Sequence, residues 1–226
     1  LSLSETAQNE GIEELLEIGR IAHNAGAMVI VSVAPVSLGL LASPGELNMD
    51  IVIGDMQELG LPLGFGGPHA GYMAVKEPYR EKLSGSVVER SKGCFTVAEE
   101  AQQSICSEQT RFALKAGVYL TAMGEQGLKK LARLSYDLAH DLQRRILELP
   151  GFDSLWPTLF FNEFAVRVPA APERINAALL ERGIIGGYDL GRVDNKYKHC
   201  MLFCVTEKNT CVQIDSLMDG LEAFAG

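Results

Sequence analysis

Asp50-Ile-Val-Ile-Gly-Asp-Met-Gln-Glu-Leu-Gly-Leu-Pro-Leu-Gly-Phe-Gly-Gly-Pro-His-Ala-Gly71 is the stretch on which the fold turns. Asp50–Ile53 is too short for a helix and apolar enough for the interior of a parallel sheet. The glycines and proline at 64, 66, 67 and 68 then set a tight loop, where backbone can approach another group closely. A second strand is expected at Tyr72–Val75. Taken alone, a glycine loop between two strands reads as structural as readily as functional.

Upstream, Gly11–Ala25 carries apolar residues at helical spacing: Ile12, Leu15, Leu16, Ile18, Ile21 and Ala22. Acids fill its first turns and His23 stands near its end, an order that suits the helix dipole. Gly26 is a plausible stop. Ala27–Val33 is a near-continuous apolar run and reads as a buried strand. Helix, glycine, buried strand, loop and buried strand make a repeating α/β pattern. The loop 34–45 lies at the carboxyl end of the first strand, the end at which open α/β sheets bind ligands.

Downstream, Lys76–Leu83 is expected as a surface turn or short helix, with Lys76 a surface charge, and Ser84–Gly93 as irregular. Ser107–Met123 reads as a helix, with Phe112, Leu114, Ala116, Val118, Tyr119 and Ala122 as candidate buried positions. Gly124 breaks it, and Glu125–Leu149 forms a longer helix on which Tyr136 and His140 are surface or interface residues. Beyond Pro150 the pattern changes. A half-buried strand at Phe160–Val168, a helix at Pro172–Arg182 with an early proline, a strand at Cys200–Val205, and a capping box at Thr210–Gln213 opening a last helix make a small α+β unit. The expected division is 1–123, the remainder of a large α/β domain, and 124–226, a connecting helix with the small domain.

Composition bounds the function. The chain has 226 residues, 47% hydrophobic and 22% charged, with a net charge of −9. That suits a globular domain or two and argues against duplex nucleic acid or an anionic membrane as partner. No apolar run approaches the roughly 20 residues of a membrane span. No signal peptide is visible, so a cytoplasmic location is expected. The five cysteines, 94, 106, 200, 204 and 211, are too few and too odd in number for a disulfide framework. Cys200 and Cys204 on one strand lie about 13 Å apart, too far to share a metal ion. They read as small buried hydrophobes, and no metal site is expected.

Five spaced blocks are more specific. They are Ala22–Leu41, Asp50–Pro68, Ser104-Ile-Cys106, Phe161-Asn-Glu-Phe164 and Cys204-Val-Thr-Glu-Lys-Asn-Thr210. Together they resemble the glycine decarboxylase P-protein family, in particular the alpha subunit of its two-subunit form. The resemblance implies a fold-type I pyridoxal-phosphate (PLP) enzyme fold: the end of the large α/β domain plus a C-terminal α+β small domain. It also implies that about half of the usual subunit lies N-terminal to Leu1.

The family's reaction decarboxylates glycine on PLP and passes the aminomethyl group to the lipoyl H-protein. The cofactor is the electron sink. The protein supplies a Schiff-base lysine, an acid for the pyridine nitrogen, and phosphate donors. In the active, beta-type half of the family the lysine follows an Asn-Leu-His-Lys turn. Laid on this chain, that turn falls on Asp55–Glu58, with Glu58 at the lysine position, or Gln57 or Leu59 under another gap placement. The position of the acid falls on Ser32, with Ala34 beyond. The resemblance therefore implies a silent homologue, with PLP held by the beta subunit and no catalytic residue of its own. In a heterotetramer with that subunit, the segment Ala101–Ser107 is the candidate to reach the partner's cofactor phosphate, through Ser104 and Ser107. Ser107 reads equally as a helix cap. Gln102 and Gln103 depart from the family's Thr-Ser pair there. Cys106 reads as a packed thiol. The alternative is a catalytically inactive scaffold or regulatory homologue.

Overall fold

The computed structural model describes residues 2–4, 12–82, 88–91, 94–97 and 109–226. The described chain runs β1 (Ser2–Ser4), α1 (Ile12–Asn24), β2 (Ile30–Ser32), β3 (Ile51–Asp55), β4 (Gly71–Val75), β5 (Val88–Ser91), β6 (Cys94–Val97), α2 (Thr110–Leu147), β7 (Asp153–Ser154), β8 (Glu163–Arg167), α3 (Pro172–Glu181), β9 (Tyr188–Asp189), β10 (Cys200–Cys204) and α4 (Cys211–Glu222). It divides into two compact units. The first comprises Leu16–Pro35 and Ala42–Gly124, with residues 2–3. The second comprises Val36–Leu41 and Glu125–Gly226, with residues 4 and 12–15.

In the first unit the sheet order is β1-β2-β3-β4. β2 and β3 are parallel, Ile30 opposite Ile51 and Ser32 opposite Ile53. β4 returns antiparallel, Ile51 opposite Val75 and Asp55 opposite Gly71. The sheet is therefore mixed rather than purely parallel. Val31 and Val33 are fully buried, whereas Ile51, Val52 and Ile53 are only half-buried. The apolar run of β3 is thus less covered than its composition implies. Glu77–Lys82 is a short 3-10 helix. Residues 84–93, expected as irregular, include β5, which pairs with β6 from Val88 opposite Val97 to Ser91 opposite Cys94.

α2 consists of two helical stretches that meet at a kink at Gly124, with φ 60 and ψ 178. A positive φ costs glycine nothing and strains any branched residue, so this glycine separates helical residues 110–123 from 125–147. The division of the chain falls at the same residue.

The second unit is built on an antiparallel sheet, β7-β8-β10-β9. Cys200 stands opposite Arg167 and Cys204 opposite Glu163. Its core gathers Ala139, Leu142 and Ile146 of α2, Phe164 and Val166 of β8, Ile175 and Leu179 of α3, Met201 and Phe203 of β10, and Ile214, Met218 and Leu221 of α4. β8 has three consecutive buried residues, Phe164–Val166, because its centre is covered on both faces; the late alternation in sequence implied one face only. Pro172 takes the first turn of α3. Thr210 and Gln213 form the reciprocal capping box at the start of α4, which satisfies two backbone N–H groups that would otherwise lack acceptors.

Val36–Leu41 packs with the second unit although it sits early in the chain. Its 3-10 turn Ser37–Gly39 brings Gly39 against α2. A Cβ at Gly39 would stand 2.7 Å from the Leu128 carbonyl oxygen and 2.9 Å from the Ala132 Cβ. Backbone cannot yield there as a long side chain does. Gly39→Ala is expected to cost about 2 kcal/mol, the usual scale for overpacking, read as a lowered urea midpoint with unchanged m-value. An unchanged midpoint would refute the contact.

Candidate functional site

The carboxyl ends of β2 and β3 are where a ligand of this fold is held. At β2 the chain presents Ser32, Val33 and Ala34. The Val33 carbonyl accepts a hydrogen bond from the Tyr72 hydroxyl at 2.8 Å. The Tyr72 ring lies where a Cβ on Gly54, its cross-strand partner, would have to stand. At β3 the chain leaves the sheet through Asp55, whose Oδ1 accepts from the Gln57 N–H at 2.6 Å in a local turn. Glu58 follows and is exposed; Leu59 is buried. Met56 N–H donates to the Ala70 carbonyl, which ties the base of the glycine loop. Phe65 stands at the loop's tip, fully exposed and with positive φ. His69 Nδ1 comes back to 3.8 Å from Asp55 Oδ1, outside hydrogen-bond range.

Lys76 is elsewhere. It follows β4, which runs against β3, so it emerges at the amino end of β3. Its Nζ donates to Asp50 Oδ1 at 2.9 Å and to the Asn48 carbonyl at 2.8 Å. The sequence reading of Lys76 as a plain surface charge is corrected: it is a partly buried ion-pair donor. His23 stands in the last turn of α1, where the helix dipole favours it, and has a further partner. Its Nε2 lies 2.8 Å from Asp50 Oδ2, the oxygen that also accepts from the Val29 N–H at 2.8 Å. Asp50 is thus a buried carboxylate with donors from three elements. Burial pushes its carboxyl up. Hydrogen bonds from Lys76, Val29 and His23, with the Lys76 charge, outweigh that and hold its pKa at about 2.

In the second unit two of the five sequence blocks meet. The Val205 N–H donates to the Asn162 carbonyl at 2.9 Å, and Asn162 Nδ2 approaches Cys204 Sγ at 3.7 Å. Burial pushes the Glu163 carboxyl up, against a hydrogen bond from Cys204. The Glu207 N–H donates to Ser135 Oγ at 3.0 Å, joining the second block to α2. Asn162 and Glu163 thus make their contacts where their block meets the one that begins at Cys204. Cys200 is buried as expected, whereas Cys204 is exposed, which corrects the expectation of a second buried thiol there; Cys211 is exposed too. His140, expected as a surface or interface residue, is half-buried. Its ring is stacked between Tyr136 and Phe160, with centroids 3.9 and 4.0 Å away, and its Nε2 donates to the Phe160 carbonyl at 3.0 Å. A groove of about 670 Å³ in this unit is lined chiefly by aliphatic and glycine residues of 183–187, β10 and α4. It carries no cluster of catalytic side chains.

Ser104, Ser107, Cys106 and the rest of Ala101–Ser107 lie outside the described residues. Among the described residues, no three His, Cys, Asp or Glu side chains are grouped to hold a metal ion. No described helix is long and apolar enough to cross a membrane.

Among the described residues, the ends of β2 and β3 do not fit a covalently held PLP. At the carboxyl end of β3 Asp55, Met56, Gln57 and Glu58 supply no amine, and the Nζ of Lys76 is bonded at the other end of the strand. At the end of β2, Ser32 offers no carboxylate to a pyridine nitrogen. The scaffold itself is nevertheless that of the fold-type I PLP enzymes. A cysteine desulfurase from Escherichia coli superposes with a TM-score of 0.71 at 18% identity, over 99% of this chain and 58% of that one, a likeness of fold alone. An inhibitor-bound crystal structure of glycine decarboxylase (P-protein) of the glycine cleavage system superposes with a TM-score of 0.80 at 35% identity, over 93% of this chain and 51% of that one. The family model described as glycine cleavage system P-protein matches residues 3–221. The chain therefore belongs to the glycine cleavage system P-protein family. A relative from Thermomicrobium roseum, called probable glycine dehydrogenase (decarboxylating) subunit 1, is 44% identical over 93% of this chain and 50% of its own length. The chain spans about half the length of the curated relatives it matches.

Proposed function

We propose that this chain is part of the subunit 1 (alpha) polypeptide of glycine dehydrogenase (decarboxylating), a subunit without its own PLP. In this reading a beta-type subunit holds the cofactor, decarboxylates glycine, and passes the aminomethyl group to the lipoyl H-protein. The chain supports that chemistry structurally and, through Ser104 and Ser107, donates hydrogen bonds to the partner's cofactor phosphate ahead of α2, where anions are favoured. The observation that carries the proposal is the place of the lysine. The position after β3 holds Gln57-Glu58, and Lys76 is bonded to Asp50 at the opposite end of that strand. A chain that matches the family's model over residues 3–221 and places no amine in Asp55–Glu58 suits a supporting role.

The departures at Gln102 and Gln103 favour a second reading, an inactive scaffold or regulatory homologue that no longer serves the reaction. The test is co-expression of a beta-type subunit with the full-length polypeptide containing this chain, followed by glycine–bicarbonate exchange with lipoyl H-protein. The expected result is co-purification and at least tenfold stimulation of exchange over the beta-type subunit alone. Co-purification without stimulation would favour the scaffold, and neither would sink both.

A further inference from the structure

Helical residues 110–123 have no acid and two cations, Arg111 and Lys115. At 3.6 residues per turn, Phe112, Ala116, Tyr119 and Met123 share one side. That side is the one in contact: Ala116 is buried, Phe112, Tyr119 and Met123 are half-buried, and the Tyr119 ring lies where a Cβ on Gly60 would stand. The opposite side holds Leu114, Gly117, Val118 and Thr121. Leu114 is 68% exposed and Val118 is 62% exposed. A Cβ at Gly117 would meet nothing within 4 Å. The Thr121 hydroxyl donates to the Gly117 carbonyl at 2.7 Å, which leaves its methyl group on the open side. This face asks nothing of water. A helix apolar on two opposite sides belongs in an interior, and sequence periodicity had placed Leu114 and Val118 among the buried positions.

What covers the face follows from length and charge. The curated relatives are about twice as long as the stretch matched here, so each carries about as much chain again. A second copy of this chain docking face to face would bring Arg111 and Lys115 against their own counterparts, which is unfavourable. We propose that the face of Leu114, Gly117, Val118 and Thr121 is the docking surface for the half of a subunit 1 polypeptide that this chain does not span. It rests on the subunit 1 reading above, and adds which surface joins the two halves.

The test co-expresses this chain with the non-overlapping half of the Thermomicrobium roseum relative. The expected result is a soluble one-to-one complex whose affinity falls at least tenfold in Leu114→Glu/Val118→Glu. Both residues are exposed, so the variant keeps its fold, checked by circular dichroism. A control, Ile185→Glu, at a site 92% exposed in the second unit, leaves binding unchanged. Val118→Cys, labelled with a maleimide and read by peptide mass, reacts in the chain alone and is protected in the complex. No complex, or a complex indifferent to the paired substitution, overturns the proposal. So does self-association of the chain that the paired substitution abolishes, which would assign the face to a second copy. A complex that forms as expected, in a full-length polypeptide that fails to stimulate a beta-type subunit, leaves this inference standing while the functional reading falls.

Discussion

Incubated with PLP and reduced with borohydride, this chain is expected to gain no stoichiometric pyridoxyl group at any one lysine. Imine formation with a bound cofactor needs an amine where the ring is held, at the carboxyl ends of the parallel strands. Asp55–Glu58 supplies none there. Lys76 is the first lysine after the glycine loop, and its amine is committed to Asp50 Oδ1 and the Asn48 carbonyl at the amino end of β3. Scattered label on exposed lysines is washed out by excess free lysine; a single protected site is not. Peptide mass mapping distinguishes the two, and one site labelled to near completion would overturn the silent-subunit reading. Glu58→Lys sharpens the test. It restores an amine but not the acid that keeps a pyridine nitrogen protonated, because Ser32 remains at the end of β2. Glycine–bicarbonate exchange by the variant alone therefore stays at background. Two defects at separate positions are not repaired by mending one.

What was legible in the sequence was local. The positive φ at Gly124, Pro172 in the first turn of α3 and the Thr210–Gln213 box each write their signal within a few residues, and the strand at 51–55 announces itself by composition. What was not legible depends on who faces whom. His23, Asp50 and Lys76 are drawn from three elements 26 and 27 residues apart, so each was read alone, as a dipole partner, a strand residue and a surface charge. Val36–Leu41 sits between two strands of the first unit in sequence, yet belongs with the second; a linear boundary at 123/124 has no means of expressing that. Helical spacing marked Leu114 and Val118 as buried without saying that only one side of that helix is covered among the described residues. At the candidate site, the lack of a lysine in Asp55–Glu58 was visible as a residue type. That Lys76 is held at the wrong end of β3 needed the antiparallel return of β4.

The Asp50 cluster makes the second strong prediction. Asp50→Ala leaves Lys76, His23 and the Val29 N–H facing a gap where one carboxylate served all three. A carboxyl held at about 2 against its ordinary 3.8 corresponds to about 2 kcal/mol of folded-state preference at neutral pH. The stranded amine and backbone donor add to that, so a loss of about 3 kcal/mol is expected in urea unfolding at pH 7. Asp50→Asn keeps an oxygen for one donor and loses the charge, and falls between the wild type and Asp50→Ala. The sign with pH follows from the depressed value. The contribution is complete above about pH 4, where Asp50 is ionised in both folded and unfolded chains. It drains as pH falls towards 2 and the folded carboxyl takes its proton, so the gap between wild type and Asp50→Asn narrows over that window. Glu163 acts in the opposite sense. Burial raises its pKa, so ionising it weakens the fold as pH rises past 4.5, and Glu163→Gln removes that dependence. Comparing each variant with the wild type at the same pH isolates these groups from the other carboxylates. A gap between wild type and Asp50→Asn that stays constant from pH 7 to about 2 would mean that the carboxylate does not hold the three elements together by its charge.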